Sequence, residues 1–472
     1  MPSWLLAAAI TCLLCTPLTA DQTLQTQPDY DFSIHGSNTL GARLVPDLLT
    51  RFFQQQGWKI QLHDLPGENE RVLLAEQGSR QLRVGLFAHG SSTGFRALQN
   101  QAATLWASSR PATLDEIHAM RDRADLTDTQ SEHIVAIDGL AVLVHPDNPL
   151  TELTIAQLAN LFSGDIRNWA QLGGPNLPVR VHARDNRSGT WDTFQQLVLK
   201  TRQLDQDAHR YESNAELAER VSLEPGSIGF SSIASTGKAK VLAIADGQAQ
   251  ALSPSRLNLA TEDYPLTRRL FFYSLSQPNH PVLADFVKFA TSTDGQAQVM
   301  HSGFISQTPV ALTAQLGTQT PQSFRRLTQG YQRLSTNFRF KQGWSKLDNK
   351  AHQDIRRVAE YVKQQGWSGR ELMLIGFSDN GGDEFRAQIL SEARALTVAM
   401  ALKREGIDVR AHTGYGQYMP VSTGSGTRAQ HRNGRVEVWI RSERLSQASL
   451  ISQAANPARE ATPDHLADNF PQ

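Results

Sequence analysis

The sequence predicts an α/β chain: a large N-terminal part in which short apolar strands alternate with helices, followed by a small α+β unit. Three observations carry this. Residues 31–310 alternate apolar runs with helical patterns, separated by Gly, Pro, Asn and Asp, which is the rhythm of an α/β fold. Near the C-terminus an apolar strand with Leu372 and Leu374 enters a Gly-rich loop bearing Asp379, and that loop opens a helix carrying Arg394. Between the two parts, residues 311–330 (ALTAQLGTQTPQSFRRLTQG) are rich in Thr and Gln and contain a Pro, the composition of a linker.

Taken in chain order, residues 1–20 (MPSWLLAAAITCLLCTPLTA) are apolar throughout and end in Leu-Thr-Ala before Asp21. This reads as a secretory signal peptide cut after Ala20. Both cysteines, Cys12 and Cys15, fall inside it, so the exported chain is expected to hold no disulfide and no thiolate metal site. Strands are expected at 31–35, 58–62, 82–87, 134–145, 179–183, 227–231 and 270–274. Helices are expected at 42–56, 154–162, 190–200, 214–224 and 281–290. Pro66-Gly67, Pro146-Asp147-Asn148-Pro149, Gly173-Gly174-Pro175 and Glu224-Pro225-Gly226 supply the turns. Residues 331–445 form the C-terminal unit. Residues 446–472 show little apolar periodicity and read as a disordered tail.

The chain carries 46 basic and 46 acidic side chains, a formal net charge of zero. No basic excess points to nucleic acid. The three strand-side histidines His133, His145 and His182 lack ligand spacing such as HExxH, so no metal site is expected. Ser188 is not the centre of a GxSxG elbow, and no Walker-type loop is present. The chain is therefore read as a binding protein without cofactor, not as an enzyme.

Three strand-to-helix junctions have polar, Gly-containing loops: His35-Gly36-Ser37-Asn38-Thr39-Leu40, Leu86-Phe87-Ala88-His89-Gly90-Ser91-Ser92, and Arg184-Asp185-Asn186-Arg187-Ser188-Gly189-Thr190. Helix N-termini offer free N–H groups and partial positive charge, so such junctions suit anions. Arg184 adds a planar fork for an oxyanion. In the C-terminal unit, Asp379 and Arg394 are held apart by rigid elements, about four helical turns by chain count. A carboxylate and a guanidinium so placed suit a ligand with an amine and a carboxylate.

Two resemblances follow from these residues. The N-terminal blocks, including IDGLAVLVHPDNPL (137–150), LTIAQLANLFSGDIRNWAQLGGP (153–175), EPGSIGFSS (224–232) and YPLTRRLFFYS (264–274), resemble phosphate-type periplasmic solute-binding proteins over about residues 30–308. The resemblance implies a two-lobed type II periplasmic-binding-protein fold over 21–310, with lobe one at about 30–130 and 255–310 and lobe two at about 131–254. It implies an interlobe cleft that captures phosphate or a related oxyanion through Ser37, Thr39, Leu40, His89, Arg184, Ser188, Gly189 and Thr190. The blocks Gly376-Phe377-Ser378-Asp379-Asn380, Leu390-Ser391-Glu392-Ala393-Arg394-Ala395, Gly414-Tyr415-Gly416 with Pro420, and Asn433-Gly434-Arg435-Val436-Glu437 resemble the OmpA-like peptidoglycan-binding domain. That resemblance implies a grip on the diaminopimelate of the stem peptide by Asp379, Asn380, Arg394 and Arg435. The expected place is the periplasm, attached to peptidoglycan and associated with the outer membrane. A transporter permease is a candidate partner.

The chain departs from both patterns. The second phosphate loop, usually Gly-rich and followed by a helix, reads Pro66-Gly67-Glu68-Asn69-Glu70. His89 stands near the position where the family places an Asp. Phe377 replaces a His, and Gly434 an Arg. The acidic loop keeps an alternative open, a structural or adhesive envelope protein whose receptor module no longer binds phosphate.

Overall fold

The computed structural model describes residues 30–441 apart from 187, 276–279, 319, 341–345, 380–382 and 425–430. The expected leader at 1–20 and tail at 446–472 lie outside the described residues. No helix among the described residues is long and apolar enough to cross a membrane.

One 11-stranded sheet runs through the N-terminal part. Its first half orders the strands Lys59–Asp64, Glu70–Gln77, Arg80–Phe87, Phe32–Gly36, Leu105–Ser108 and Thr267–Tyr273; its second half orders Ser227–Ser232, Arg180–Arg184 and His209–Tyr211, with the short strand Lys240–Val241 paired beside it to Glu132–Val144. The strand Glu132–Val144 joins the halves. Over 132–139 it pairs with Thr267–Tyr273, and over 140–144 with Ser227–Ser232. It therefore belongs to both lobes, where the sequence reading had placed it wholly in lobe two. Its apolar run is buried almost throughout, the signature of a strand covered on both faces. Separate apolar cores fill the two lobes, one around Leu48, Phe53 and Phe286, the other around Phe162, Phe194 and Phe230.

The expected strands and helices are present with edges shifted by one to three residues. The segment after Pro66-Gly67 differs. It enters the strand Glu70–Gln77, which forms a hairpin with Arg80–Phe87, and not a helix. Val72, Leu73, Leu74 and Ala75 form a short continuous apolar run in the strand, and Gly78 with φ +62° makes the turn.

The C-terminal unit has a five-stranded sheet ordered Ala311–Leu312, Tyr331–Arg339, Arg435–Arg441, Leu372–Gly376 and Ala411–Gly414. Period-two alternation sends Leu372 and Leu374 toward the helices Asn349–Gln364 and Glu384–Arg404, and Met373 and Ile375 to the opposite face. That second face is covered by Phe324, fully buried against Trp439 and Phe377. Residues 311–330 are thus not a free linker. They contribute an edge strand and the short helix Gln322–Leu327, because a sheet apolar on both faces needs a second cover.

Candidate functional site

The first site lies where the lobes meet. Thr39, Arg184 and Ser188 line a 390 Å³ cavity with Asn38, Asn69, Glu212, Ser213 and Asn214. Arg184 ends its strand and is 4% exposed. Its Nε donates to the Tyr211 carbonyl at 3.2 Å, and Nη2 donates to the Glu212 carbonyl. Carbonyls orient a guanidinium without cancelling its charge. Asp185 stands 3.8 Å away. Burial pulls the Arg184 pKa down to about 10, partly offset by Asp185, so the group remains a cation at neutral pH. Ser188 caps the helix Gly189–Phe194, its Oγ accepting from the N–H groups of Thr190 (3.2 Å) and Trp191 (3.4 Å).

Closure around this cavity leaves no room at Gly189. A Cβ there would stand 2.4 Å from Ser109 Oγ and 3.0 Å from Ser37 Oγ, both in lobe one. Thr39 Oγ1 and Thr190 Oγ1, one from each lobe, are 3.4 Å apart. Ser37 is buried, and its Oγ accepts from Thr39 N–H at 3.2 Å. Leu40 sends its side chain into the lobe-one core, leaving only its backbone to the loop.

Arg268 is the group that sequence reasoning missed. It is 6% exposed and pairs with Asp138 through Nε (2.9 Å) and Nη2 (2.6 Å). Its Nη1 donates to the Gly189 carbonyl at 2.8 Å and to Thr193 Oγ1 at 3.0 Å. Nη2 also donates to Thr39 Oγ1 at 3.1 Å and Thr190 Oγ1 at 3.2 Å. A hydroxyl that accepts from a guanidinium has its own proton left to donate. Arg268 thus fixes both threonines as donors, and Asp138 balances its charge. Ser232 Oγ and the Gly139 N–H also donate to Asp138, as a buried carboxylate requires. The available signal was a pair of arginines, Arg268 and Arg269, inside an apolar strand.

His89 is placed elsewhere than expected. It does not line the cavity, and its Nε2 lies 2.9 Å from Glu70 Oε1. The pair turns the Glu70 carboxylate onto the histidine. Asn69, at φ +57°, is the residue of that acidic loop that lines the cavity. His182 is buried and His133 half-buried, and both are bonded to hydroxyls, His133 Nε2 to Ser274 Oγ (3.2 Å) and His182 to Tyr211 and Ser227. Burial takes both pKa values down to about 4.

The second site lies at the end of the strand Leu372–Gly376. Arg394, 1% exposed, donates from Nη1 to Asp379 Oδ1 at 2.9 Å and to the Phe377 carbonyl at 3.0 Å. The Phe340 ring lies 5.1 Å from the guanidinium, and Arg394 Nε is buried without a hydrogen-bond partner. The two residues, expected to be held apart, are instead in direct contact, because the helix Glu384–Arg404, whose N-cap is Asp383, packs back along the strand Leu372–Gly376 and brings Arg394 to the loop at its end. Gly434 passes over the pair, and a Cβ there would fall 2.3 Å from Asp379 Oδ1. Asn380 lies outside the described residues. Arg435 corrects its expected role as a ligand contact. It is 2% exposed, bonded through Nε to Glu437 at 2.9 Å, and stacked 3.9 Å from the Phe377 ring centroid. It braces the loop from inside.

Comparison with known proteins follows this division. A model of the PBP superfamily domain matches residues 74–294, and a model of the OmpA family matches residues 339–434. The phosphate-binding protein PstS of Pseudomonas aeruginosa is 30% identical over 257 residues, 50% of this chain and 79% of that protein. Protein SphX of Synechococcus elongatus is 30% identical over 251 residues, 51% of this chain and 73% of that protein. PstS of Borreliella burgdorferi is 28% identical over 244 residues, 50% of this chain and 84% of that protein. Among solved structures, an ABC-type phosphate transport receptor from Vibrio cholerae matches at 24% identity with a TM-score of 0.46, covering 58% of this chain and 99% of its own.

Proposed function

The chain belongs to the PstS-type phosphate-binding protein family and carries a C-terminal OmpA-family domain, and from that premise we propose a periplasmic receptor that captures inorganic phosphate or a close oxyanion while held on peptidoglycan. The observation that carries this reading is the interlobe cavity with Arg184 on its wall. A buried guanidinium oriented by carbonyls, with Ser188 and Thr39 beside it, attracts an anion through charge-assisted hydrogen bonds. Ser37, Leu40, Gly189 and Thr190 shape the closed loops around it. Asp379 and Arg394 are assigned to the wall ligand, the amine and carboxylate of diaminopimelate. We place the receptor unit at 21–310 and assign residues 311–441 to the wall-binding unit. No observation favours the adhesive alternative, whose motive was the acidic loop, now that Glu70 faces His89.

The test is calorimetry of the purified protein against phosphate and sulfate at pH 6 and pH 8. Saturable phosphate binding with one site is expected. A folded protein that gives no heat with either anion overturns the receptor reading. The wall-binding part is tested by co-sedimentation with purified peptidoglycan, in which the protein is expected in the pellet.

A further inference from the structure

The C-terminal domain touches three places on the receptor. On lobe two, Arg432 Nη1 donates to Asp246 Oδ2 at 2.6 Å, Thr423 N–H to the Asp246 carbonyl at 3.1 Å, and Gln248 N–H to Thr423 Oγ1 at 2.6 Å. On lobe one, Asn349 Nδ2 donates to the Thr127 carbonyl at 2.8 Å, and Arg357 Nη1 to Gln307 Oε1 at 3.1 Å. Between them, beside the strands that cross from lobe to lobe, lies a buried ionic seam. Arg269 joins Glu262 (2.7 Å) to Asp348 (3.0 Å), and Asp263 accepts from Arg333 (2.7 Å) and Arg339 (3.0 Å).

These contacts make one rigid body bridge both lobes and their pivot. Arg268 and Arg269 are neighbours on one strand, and neighbouring side chains on a strand point to opposite faces. Arg268 reaches the closed loops of the cleft; Arg269 reaches the C-terminal domain. Opening the cleft separates the lobes by rotation about the crossing strands. A body bonded to Asp246 on one side and to Thr127 and Gln307 on the other cannot follow both. Opening therefore breaks at least one of these attachments.

We propose that the C-terminal domain is a strap across the back of the hinge that favours the closed receptor and slows anion release. This rests on the reading of the cleft as an anion site. By linkage, whatever the strap does for the anion, the anion does for the strap: bound anion tightens domain docking by the same factor.

The test uses the full protein with cysteines introduced at the exposed positions Asp122 in lobe one and Asp207 in lobe two. Spin labels report the interlobe distance without ligand, and stopped-flow reports release of inorganic phosphate. Asp246→Ala is expected to lengthen or broaden the distance distribution and to speed release about tenfold, the loss of roughly one charge-assisted hydrogen bond. The exchange Asp246→Arg with Arg432→Asp is expected to restore both. A distance distribution and a release rate unchanged in Asp246→Ala, with native far-UV circular dichroism, overturn the strap. If the unmutated protein binds no phosphate, the anion reading fails, and the distance measurement alone still decides the strap.

Discussion

The two arginine sites of this chain are built on the same scaffold and differ in one respect. Arg184 and Arg394 are both at most 4% exposed, and each stands by a loop that joins a strand to a helix. Arg184 is bonded to backbone carbonyls, with a carboxylate only at 3.8 Å. Arg394 is bonded directly to Asp379 at 2.9 Å. A guanidinium held by carbonyls keeps a charge to be met by a ligand, whereas one bonded to a carboxylate offers a dipole. Under the proposed function the first arrangement suits an anion and the second a zwitterion, and the difference lies in what fills the arginine's other bonds.

The largest expected effect separates the two sites. Arg184→Ala should lower phosphate affinity about 100-fold or more, the scale of charge-assisted bonds, and leave peptidoglycan pelleting unchanged. Asp379→Ala should abolish pelleting and leave the phosphate isotherm unchanged. If either substitution moves both readouts, the sites are not independent. Acid should then distinguish the regions that carry them. Desolvation holds His133 and His182 at folded pKa values of about 4, below the ordinary value near 6.5. The unfolded chain binds more protons between those values. Their contribution is complete above about pH 6.5 and falls away toward pH 4, by about 1–3 kcal/mol each. At the interdomain seam the sign is similar but the window lower. Burial opposes ionisation of Glu262, yet Arg269, Lys350 and Arg339 hold it at about 2. Asp348 is likewise held well below the carboxylate range by Arg269 and His431 against its burial. Their contribution persists above the ordinary carboxylate pKa and is lost only as pH falls toward 2. Calorimetric melting at pH 7, 5.5 and 4.5 should show the receptor weakening first; a flat melting temperature over that range contradicts the assignment.

A smaller effect is expected at Gly434. Its Cβ would collide with Asp379 Oδ1, so Gly434→Ala should weaken pelleting about tenfold, equivalent to about 1.4 kcal/mol, without moving phosphate affinity. The smallest is at His89, which does not line the cavity. His89→Ala should change phosphate affinity by less than about threefold at pH 6 or 8, under 1 kcal/mol. A larger change would mean that Glu70, released from the histidine, turns toward the anion.

What could be read in the sequence follows from the range of the physics. Strand periodicity, turn residues and the Arg184-to-Thr190 loop are local, and they appear where expected. Asp379 and Arg394 are legible as candidates but their contact is not: chain spacing suggests two separated groups, and the packing of the helix Glu384–Arg404 on the strand Leu372–Gly376 brings them to 2.9 Å. Arg268 was hidden because an apolar strand with two adjacent arginines does not declare which one faces inward; that depends on pairing with Asp138, 130 residues away. The seam was hidden for the same reason, since Asp263 and Arg333 are 70 residues apart. Residues 311–330 read as a linker because composition reports solubility, whereas their docking rests on Phe324 in the sheet's second face and on the pairing of Ala311–Leu312 with the sheet edge.

The adjacency of Arg268 and Arg269 has a consequence for how this protein can change. A slip of one residue in the pairing of that strand would turn every side chain to the other face. With Arg269 moved beside Asp138, Leu270 would face Glu262 and Asp348; with Arg268 moved into the seam, Thr267 would face Asp138, so either slip leaves one set of buried carboxylates unpaired. Single-residue insertions or deletions in 267–273 should therefore be lost from functional libraries, while the turns at 146–149 and 173–175 accept them.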